Sequence, residues 1–181
     1  MRVMIEVELK VRADHAQVRR ALQRLGAQPL GVEWDEDLYF NAPHRDFRQS
    51  DEALRIRVRG RGGILTYKGP KLDPSSKTRE ELEVEVRDWQ RLRDILLKLG
   101  FGEVAWVRKR RERFRMGPFV VALDLVEGLG EFVEVEAESD GPFEDLLIRA
   151  KELLRSLGLP QETIRRSYLE LLLEREQPEN I

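Results

Sequence analysis

An eight-stranded antiparallel β-barrel, charged inside and covered by helices outside, is the α+β fold this sequence predicts. Two regularities carry that reading. Strand after strand alternates charged with apolar residues, so a side-chain period of two puts the charges on one face and the apolar groups on the other. Three times, moreover, such a strand runs past an aspartate suited to helix capping and into an amphipathic helix that ends at Leu-Gly. Apolar faces under helices leave the charged faces to line one common concavity. Closing so many antiparallel strands into a barrel also removes their exposed edges.

The first strand, Met4 to Arg12, carries Glu6, Glu8 and Lys10 on one face and Ile5, Val7, Leu9 and Val11 on the other. Asp14 caps the first helix, in which Val18, Ala21, Leu22 and Leu25 recur at helical spacing before Gly26. Strands follow at about 33–40, 53–59 and 63–69, the last two joined by the turn Gly60-Arg61-Gly62-Gly63. Lys71 to Lys77, with Pro70, Pro74 and two serines, reads as a mobile loop. The next strand alternates Arg79, Glu81, Glu83 and Glu85 with Leu82, Val84 and Val86. Asp88 then caps a helix containing Trp89, Leu92, Ile95, Leu96 and Leu99, which Gly100 ends. Strands at about 104–115 and 118–127 flank the turn Met116-Gly117-Pro118, and Gly128-Leu129-Gly130 leads into a strand with Glu134-Val135-Glu136. Asp140 stands near the start of the third helix, with Leu146, Leu147, Ala150, Leu153 and Leu154 on its apolar side and Leu157-Gly158 at its end. A final helix is expected over about 161–175. Residues 1–175 then form one domain, and 176–181 a polar tail.

Charged residues make up 36% of the 181, yet the formal net charge is only −2, which argues against nucleic-acid affinity driven by net charge. The basic run Arg108 to Arg115 is split by alternation: Lys109, Arg111 and Arg113 point one way, Arg108 and Arg110 the other, with no aromatic platform beside them. Cysteine is absent, which removes disulfides, thiolate metal sites and a thiol nucleophile, and fits a reducing cytoplasm. No stretch is long and apolar enough for a membrane span or a secretory signal, so a cytoplasmic protein without membrane partners is expected. His15 and His44 lack partners at metal-ligand spacing and read as structural or exposed. Trp34, Trp89 and Trp106 read as packing under helices.

Strand parity places Glu6, Glu8, Lys10, Asp37, Arg55, Arg57, Lys68, Arg79, Glu81, Glu83, Lys109, Arg111, Asp124, Glu134 and Glu136 on the inward face. Burying so many charges for stability alone is unfavourable, because desolvation often outweighs the attraction gained. A ligand is the better explanation. Carboxylates at i, i+2 converge on a hard cation, and arginines at i, i+2 present planar forks to phosphate oxygens. Metal with cationic clamps is the apparatus of phosphoryl transfer. Asp37 and Glu81 suit orientation of the bases rather than ligation.

Glu6-x-Glu8-x-Lys10 resembles the ExExK signature of the CYTH domain, in the triphosphate tunnel metalloenzyme superfamily. The resemblance continues in order through Asp37-x-Tyr39-Phe40, Leu54-Arg55-Ile56-Arg57, Tyr67-Lys68-Gly69-Pro70, Arg79-x-Glu81-x-Glu83, Lys109-x-Arg111, Leu123-Asp124, Glu134-x-Glu136 and Ser167-Tyr168. It implies an eight-stranded tunnel binding a triphosphate with Mg²⁺ or Mn²⁺, held by Glu6, Glu8, Asp124, Glu134 and Glu136. Lys10, Arg55, Arg57, Lys68, Arg79, Lys109 and Arg111 are implied to hold the phosphates, with Lys10, Lys68, Lys109 and Arg111 nearest the chemistry. The implied activity is that of a class IV adenylyl cyclase, converting ATP to cyclic AMP and pyrophosphate. Hydrolysis of thiamine triphosphate or tripolyphosphate is the alternative, and a non-enzymatic nucleotide- or polyphosphate-binding module a third reading. The resemblance also admits a homodimer. One departure stands out: some bacterial cyclases of the family carry a His-Phe pair ahead of ExExK, and Met1 to Ile5 has none.

Overall fold

The structure, a computed structural model, describes residues 4–176. Eight antiparallel strands close into a barrel in the order β1-β5-β4-β3-β2-β6-β7-β8. They are β1 (Met4–Arg12), β2 (Gln28–Asn41), β3 (Ala53–Arg59), β4 (Gly62–Lys71), β5 (Arg79–Val86), β6 (Gly102–Met116), β7 (Phe119–Val126) and β8 (Gly130–Ser139). Helices α1 (His15–Arg24), α2 (Phe47–Ser50), α3 (Trp89–Lys98), α4 (Glu144–Ser156) and α5 (Tyr168–Glu176) complete the chain. Among the described residues no helix is long and apolar enough to cross a membrane. Of the expected tail only Glu176, the last residue of α5, is described.

The three strand–helix repeats appear as β1–α1, β5–α3 and β8–α4, and their strands are neighbours, with β1 between β5 and β8. Asp14 accepts from the Gln17 amide and Asp88 from the Arg91 amide, as capping requires. Gly26, Gly100 and Gly158 follow the three helices with φ of 73°, 93° and 70°, the left-handed conformation that glycine adopts without strain. Apolar residues face outward under these helices. Val7, Leu9 and Val11 pack with Val133 and Val135 beneath Val18 and Leu22 of α1 and Leu147 and Leu154 of α4. Leu38, Phe40 and Ile56 pack beneath Leu96 of α3.

Several elements differ from expectation. The third helix starts at Glu144 with no side-chain cap, so Asp140 lies before it. The last helix starts at Tyr168 rather than near 161. Ser167 and Glu170 form a reciprocal capping box there: the Glu170 amide donates to Ser167 Oγ at 3.1 Å and the Ser167 amide to Glu170 Oε2 at 2.6 Å. The preceding residues are irregular rather than helical, and the Ile164 amide donates to the Lys10 carbonyl at 2.8 Å. β2 begins earlier than expected and absorbs Pro29 and Gly31 through a register shift. The 71–77 segment is pinned rather than mobile: Lys151 Nζ donates to Ser75 Oγ, Thr163 Oγ1 to the Ser75 carbonyl and Arg165 to the Asp73 and Ser76 carbonyls. Trp89, the first residue of α3, packs edge-on against Trp106 of β6 at 6.0 Å, whereas Trp34 is 69% exposed, with no helix of the described residues over that part of β2.

Candidate active site

The barrel encloses a cavity of about 470 Å³ lined by charged residues from seven strands and the 72–78 loop. Its acidic wall follows from the register of the three repeat strands. Glu8 pairs directly with Glu136 across β1 and β8, and Glu6 sits opposite Arg79 of β5. Like charges placed opposite one another destabilise a sheet, so something must neutralise them. Carboxylate oxygens of Glu6, Glu8 and Glu136 lie within 4.8 Å of one another. Each is tied to its own cation: Glu6 to Lys68 at 2.5 Å, Glu136 to Arg111 at 3.0 Å, and Glu8 to Lys77.

Burial pushes Glu136 well above the usual carboxylate range, with Glu134 and Glu6 adding to the effect and Arg111 only partly opposing it. Glu6 is raised mainly by burial as well. Such carboxyls hold their negative charge reluctantly until more positive charge arrives. Three convergent oxygens without histidine or sulfur suit a hard divalent ion such as Mg²⁺ or Mn²⁺. The donor set therefore fits the metal that the sequence implies.

Asp124 and Glu134, expected beside these three, are engaged elsewhere. Arg111 donates a two-pronged fork to Asp124 at 2.7 and 2.6 Å and a further bond to Glu134 at 2.5 Å. Asp124 is fully buried and also accepts from the Tyr168 hydroxyl at 2.7 Å. Lys10, expected among the phosphate ligands, has no exposed surface; it donates to the Arg166 carbonyl at 3.0 Å, pairs with Glu134 at 3.4 Å and lies 3.7 Å from the Tyr168 ring centroid. Burial and the neighbouring Lys77 push Lys10 down to about 7, against the pull of Glu134 and Glu8. Beside this network the interior turns apolar, where Val107, Val126 and Phe132 pack with Tyr168.

The basic wall comes from β3, β4, β5 and β6. Arg55, Arg57, Lys68, Arg79, Lys109 and Arg111 all line the cavity, as strand parity predicts. Asp37 accepts the Arg57 fork at 2.7 and 2.8 Å and lies 3.6 Å from Lys109, the orienting place expected of it. Asp35, fully buried two residues earlier, was missed by the sequence reading although it shares that parity; it pairs with Arg57 and Lys109 at 3.4 Å each. Lys77 was missed too. Arg113 and Arg115 also line the cavity, and Arg55 Nε is buried without a hydrogen-bond partner, a donor available to a ligand.

Burial would raise Asp37, but Arg55, Lys109 and Arg57 outweigh it and hold the carboxyl far below its ordinary value. A depressed carboxyl stabilises the fold above the unfolded pKa near 4 and loses that contribution as pH falls. Asp37→Asn should therefore lower the melting temperature at pH 7 and flatten its fall between about pH 4 and 2. Melts across that range check it; a parallel acid limb in the variant would assign the acid lability elsewhere.

A second cavity of about 280 Å³ adjoins the first and shares Tyr39, Ala53, Arg79 and Ser167 with it; Phe40, Phe47, Leu169 and Leu173 add apolar surface.

The CYTH domain family matches residues 4–168. A Methanocaldococcus jannaschii protein provisionally named an adenylate cyclase is 44% identical over 176 residues, covering 93% of this chain and 98% of its own length. An Aeromonas hydrophila protein named adenylate cyclase CyaB is 30% identical over 170 residues, covering 90% and 86%. The solved structure of a Pyrococcus horikoshii protein superposes with a TM-score of 0.86 at 42% identity, over 94% of this chain and 99% of that one. The charged barrel, its ordered motifs and these relatives together show that the chain belongs to the CYTH domain family.

Proposed function

We propose that the protein is a divalent-metal-dependent enzyme acting on triphosphates, and that its reaction is conversion of ATP to cyclic AMP and pyrophosphate. The observation that carries the reading is the convergence of Glu6, Glu8 and Glu136 opposite a wall of arginines and lysines within one cavity. Arg55, Arg57, Lys68, Arg79, Lys109 and Arg111 bind the phosphate oxygens and hold the chain of phosphates in one direction. Asp35 and Asp37 keep Arg57 and Lys109 aimed, so little reorganisation accompanies charge development. Bound Mg²⁺ or Mn²⁺ supplies Lewis acidity at the phosphate oxygens.

In cyclisation the ribose 3′-oxygen forms a bond to the α-phosphorus, its proton is lost, and the bond to the bridging oxygen breaks to release pyrophosphate. The adjoining cavity supports a nucleotide over a bare polyphosphate. It offers Tyr39, Leu169 and Leu173 to an organic group beside the phosphate wall. The names of the two curated relatives support the same choice.

The test is product identity, with ATP, thiamine triphosphate and tripolyphosphate supplied separately under Mg²⁺ and Mn²⁺. Cyclic AMP with equimolar pyrophosphate is the expected result. Orthophosphate without cyclic AMP would reject cyclisation and make the protein a triphosphatase.

A further inference from the structure

Each of the three convergent carboxylates is neutralised by an internal cation, but the three cations are not equivalent. Lys68 also pairs with Glu81 at 3.0 Å, so it keeps a partner if Glu6 turns away. Arg111 keeps its fork to Asp124 and its bond to Glu134 if Glu136 turns away. Among the described residues Lys77 has Glu8, and beyond it only Glu134 at 4.0 Å, which Lys10 and Arg111 already hold. Its ammonium lies among Lys10, Lys68 and Arg79, which repel it. Loss of Glu8 would thus strand a buried cation, an arrangement that costs far more than a broken surface pair.

Lys77 also differs in how it reaches the cavity. The other two cations stand on strands, whereas Lys77 arrives on a loop whose amide donates to the Glu8 carbonyl at 3.0 Å. That loop is anchored from outside by Lys151, Thr163 and Arg165. So firm a mounting for one buried lysine suits a side chain that changes partners while its backbone stays fixed.

We infer that Lys77 is a triphosphate-binding residue that serves, in the metal-free protein, as the resident cation of Glu8. Metal at Glu8 releases the Lys77 ammonium, and a phosphate oxygen becomes its new partner. Metal and triphosphate therefore bind with positive coupling: either one alone leaves a buried charge without its counter-charge, and the pair together satisfies both. The inference rests on the triphosphate reading above but does not depend on which reaction follows.

The experiment measures Mn²⁺ binding without any phosphate, by the electron paramagnetic resonance of free Mn²⁺ and by thermal melts, on the full chain. Lys77→Met removes the competitor and should tighten Mn²⁺ binding about tenfold, while weakening stabilisation by metal-free tripolyphosphate. Lys77→Arg keeps the charge and should bind Mn²⁺ like the wild type. Should Lys77→Met fail to fold, Lys151→Ala cuts an anchor of the loop and should give a smaller gain in the same direction. Mn²⁺ affinity that is unchanged or weaker in folded Lys77→Met, or in Lys151→Ala where that variant stands in for it, would overturn the inference. Wild-type protein unaffected by Mn²⁺ and tripolyphosphate together would instead overturn the triphosphate reading itself.

Discussion

Glu136→Gln is expected to lower turnover by at least about 100-fold while raising the melting temperature of the metal-free protein at pH 7–8. The two effects share one cause. Glu136 stands opposite Glu8 in the barrel wall and is half-buried inside the cavity, so partial desolvation and the neighbouring carboxylates disfavour its ionised form without metal. A carboxyl with a raised folded pKa contributes its full stability below the unfolded value, near 4.3, and loses it as pH rises through the folded one. The amide has no such loss. The gain should be about 2–4 °C for each kcal/mol relieved, should shrink toward pH 4, and should vanish when Mn²⁺ is added to the wild type. Arg111 is not stranded, because Asp124 and Glu134 remain. Glu8→Gln should differ: turnover falls alike, but the melting temperature drops because Lys77 loses its partner. Wild-type turnover in either variant would remove the carboxylate from the metal set. Equal melting shifts would contradict the pairing of charges described here.

Asp124→Asn is expected to act chiefly on the fold. Asp124 is fully buried and accepts the Arg111 fork and the Tyr168 hydroxyl, so its replacement costs both donors their charged acceptor, although Glu134 and Glu136 still balance the guanidinium. Losing charge-assisted hydrogen bonds of this kind costs about 1.5–3 kcal/mol, or roughly 6 °C in a chain of this size. Mn²⁺ binding to the folded variant should change little, since Glu6, Glu8 and Glu136 remain together. A normal melting temperature would sink this assignment. A loss of Mn²⁺ binding as large as that in Glu136→Gln would return Asp124 to the ligands.

Much of the barrel was legible because alternation fixes the face of every strand residue once the strand is recognised. Arg55, Arg57, Lys68, Lys109 and Arg111 point inward for that reason alone. Parity does not give register, and register is what separates Glu136, opposite Glu8, from Glu134, opposite Lys10. So the division of five acids into three convergent ones, Glu6, Glu8 and Glu136, and two set apart from them, Asp124 and Glu134, could not be read from the sequence. Lys77 was invisible for a related reason: a loop has no period, and the prolines and serines around it suggest mobility, not anchoring. Trp34 marks another limit. Alternation says it faces outward, but which outward faces receive a helix depends on tertiary placement. The Ser167-x-x-Glu170 cap was present in the sequence, but the polar residues ahead of it were absorbed into too long a helix.

The contacts between Lys10 and residues 164–166 have a consequence for how the protein is made. The first strand's buried ammonium is satisfied by the carbonyl of Arg166, and its carbonyl by the amide of Ile164. Both partners leave the ribosome only after all eight strands, so β1 cannot be completed before residues 164–166 have emerged. Until then β1 presents an unsatisfied lysine, and its edge toward β8 stays open until that strand too has been made. Pairing segments so far apart in sequence is entropically slow. A nascent chain arrested before residue 164 should therefore leave β1 protease-sensitive, and one in which residues 164–166 have emerged should protect it.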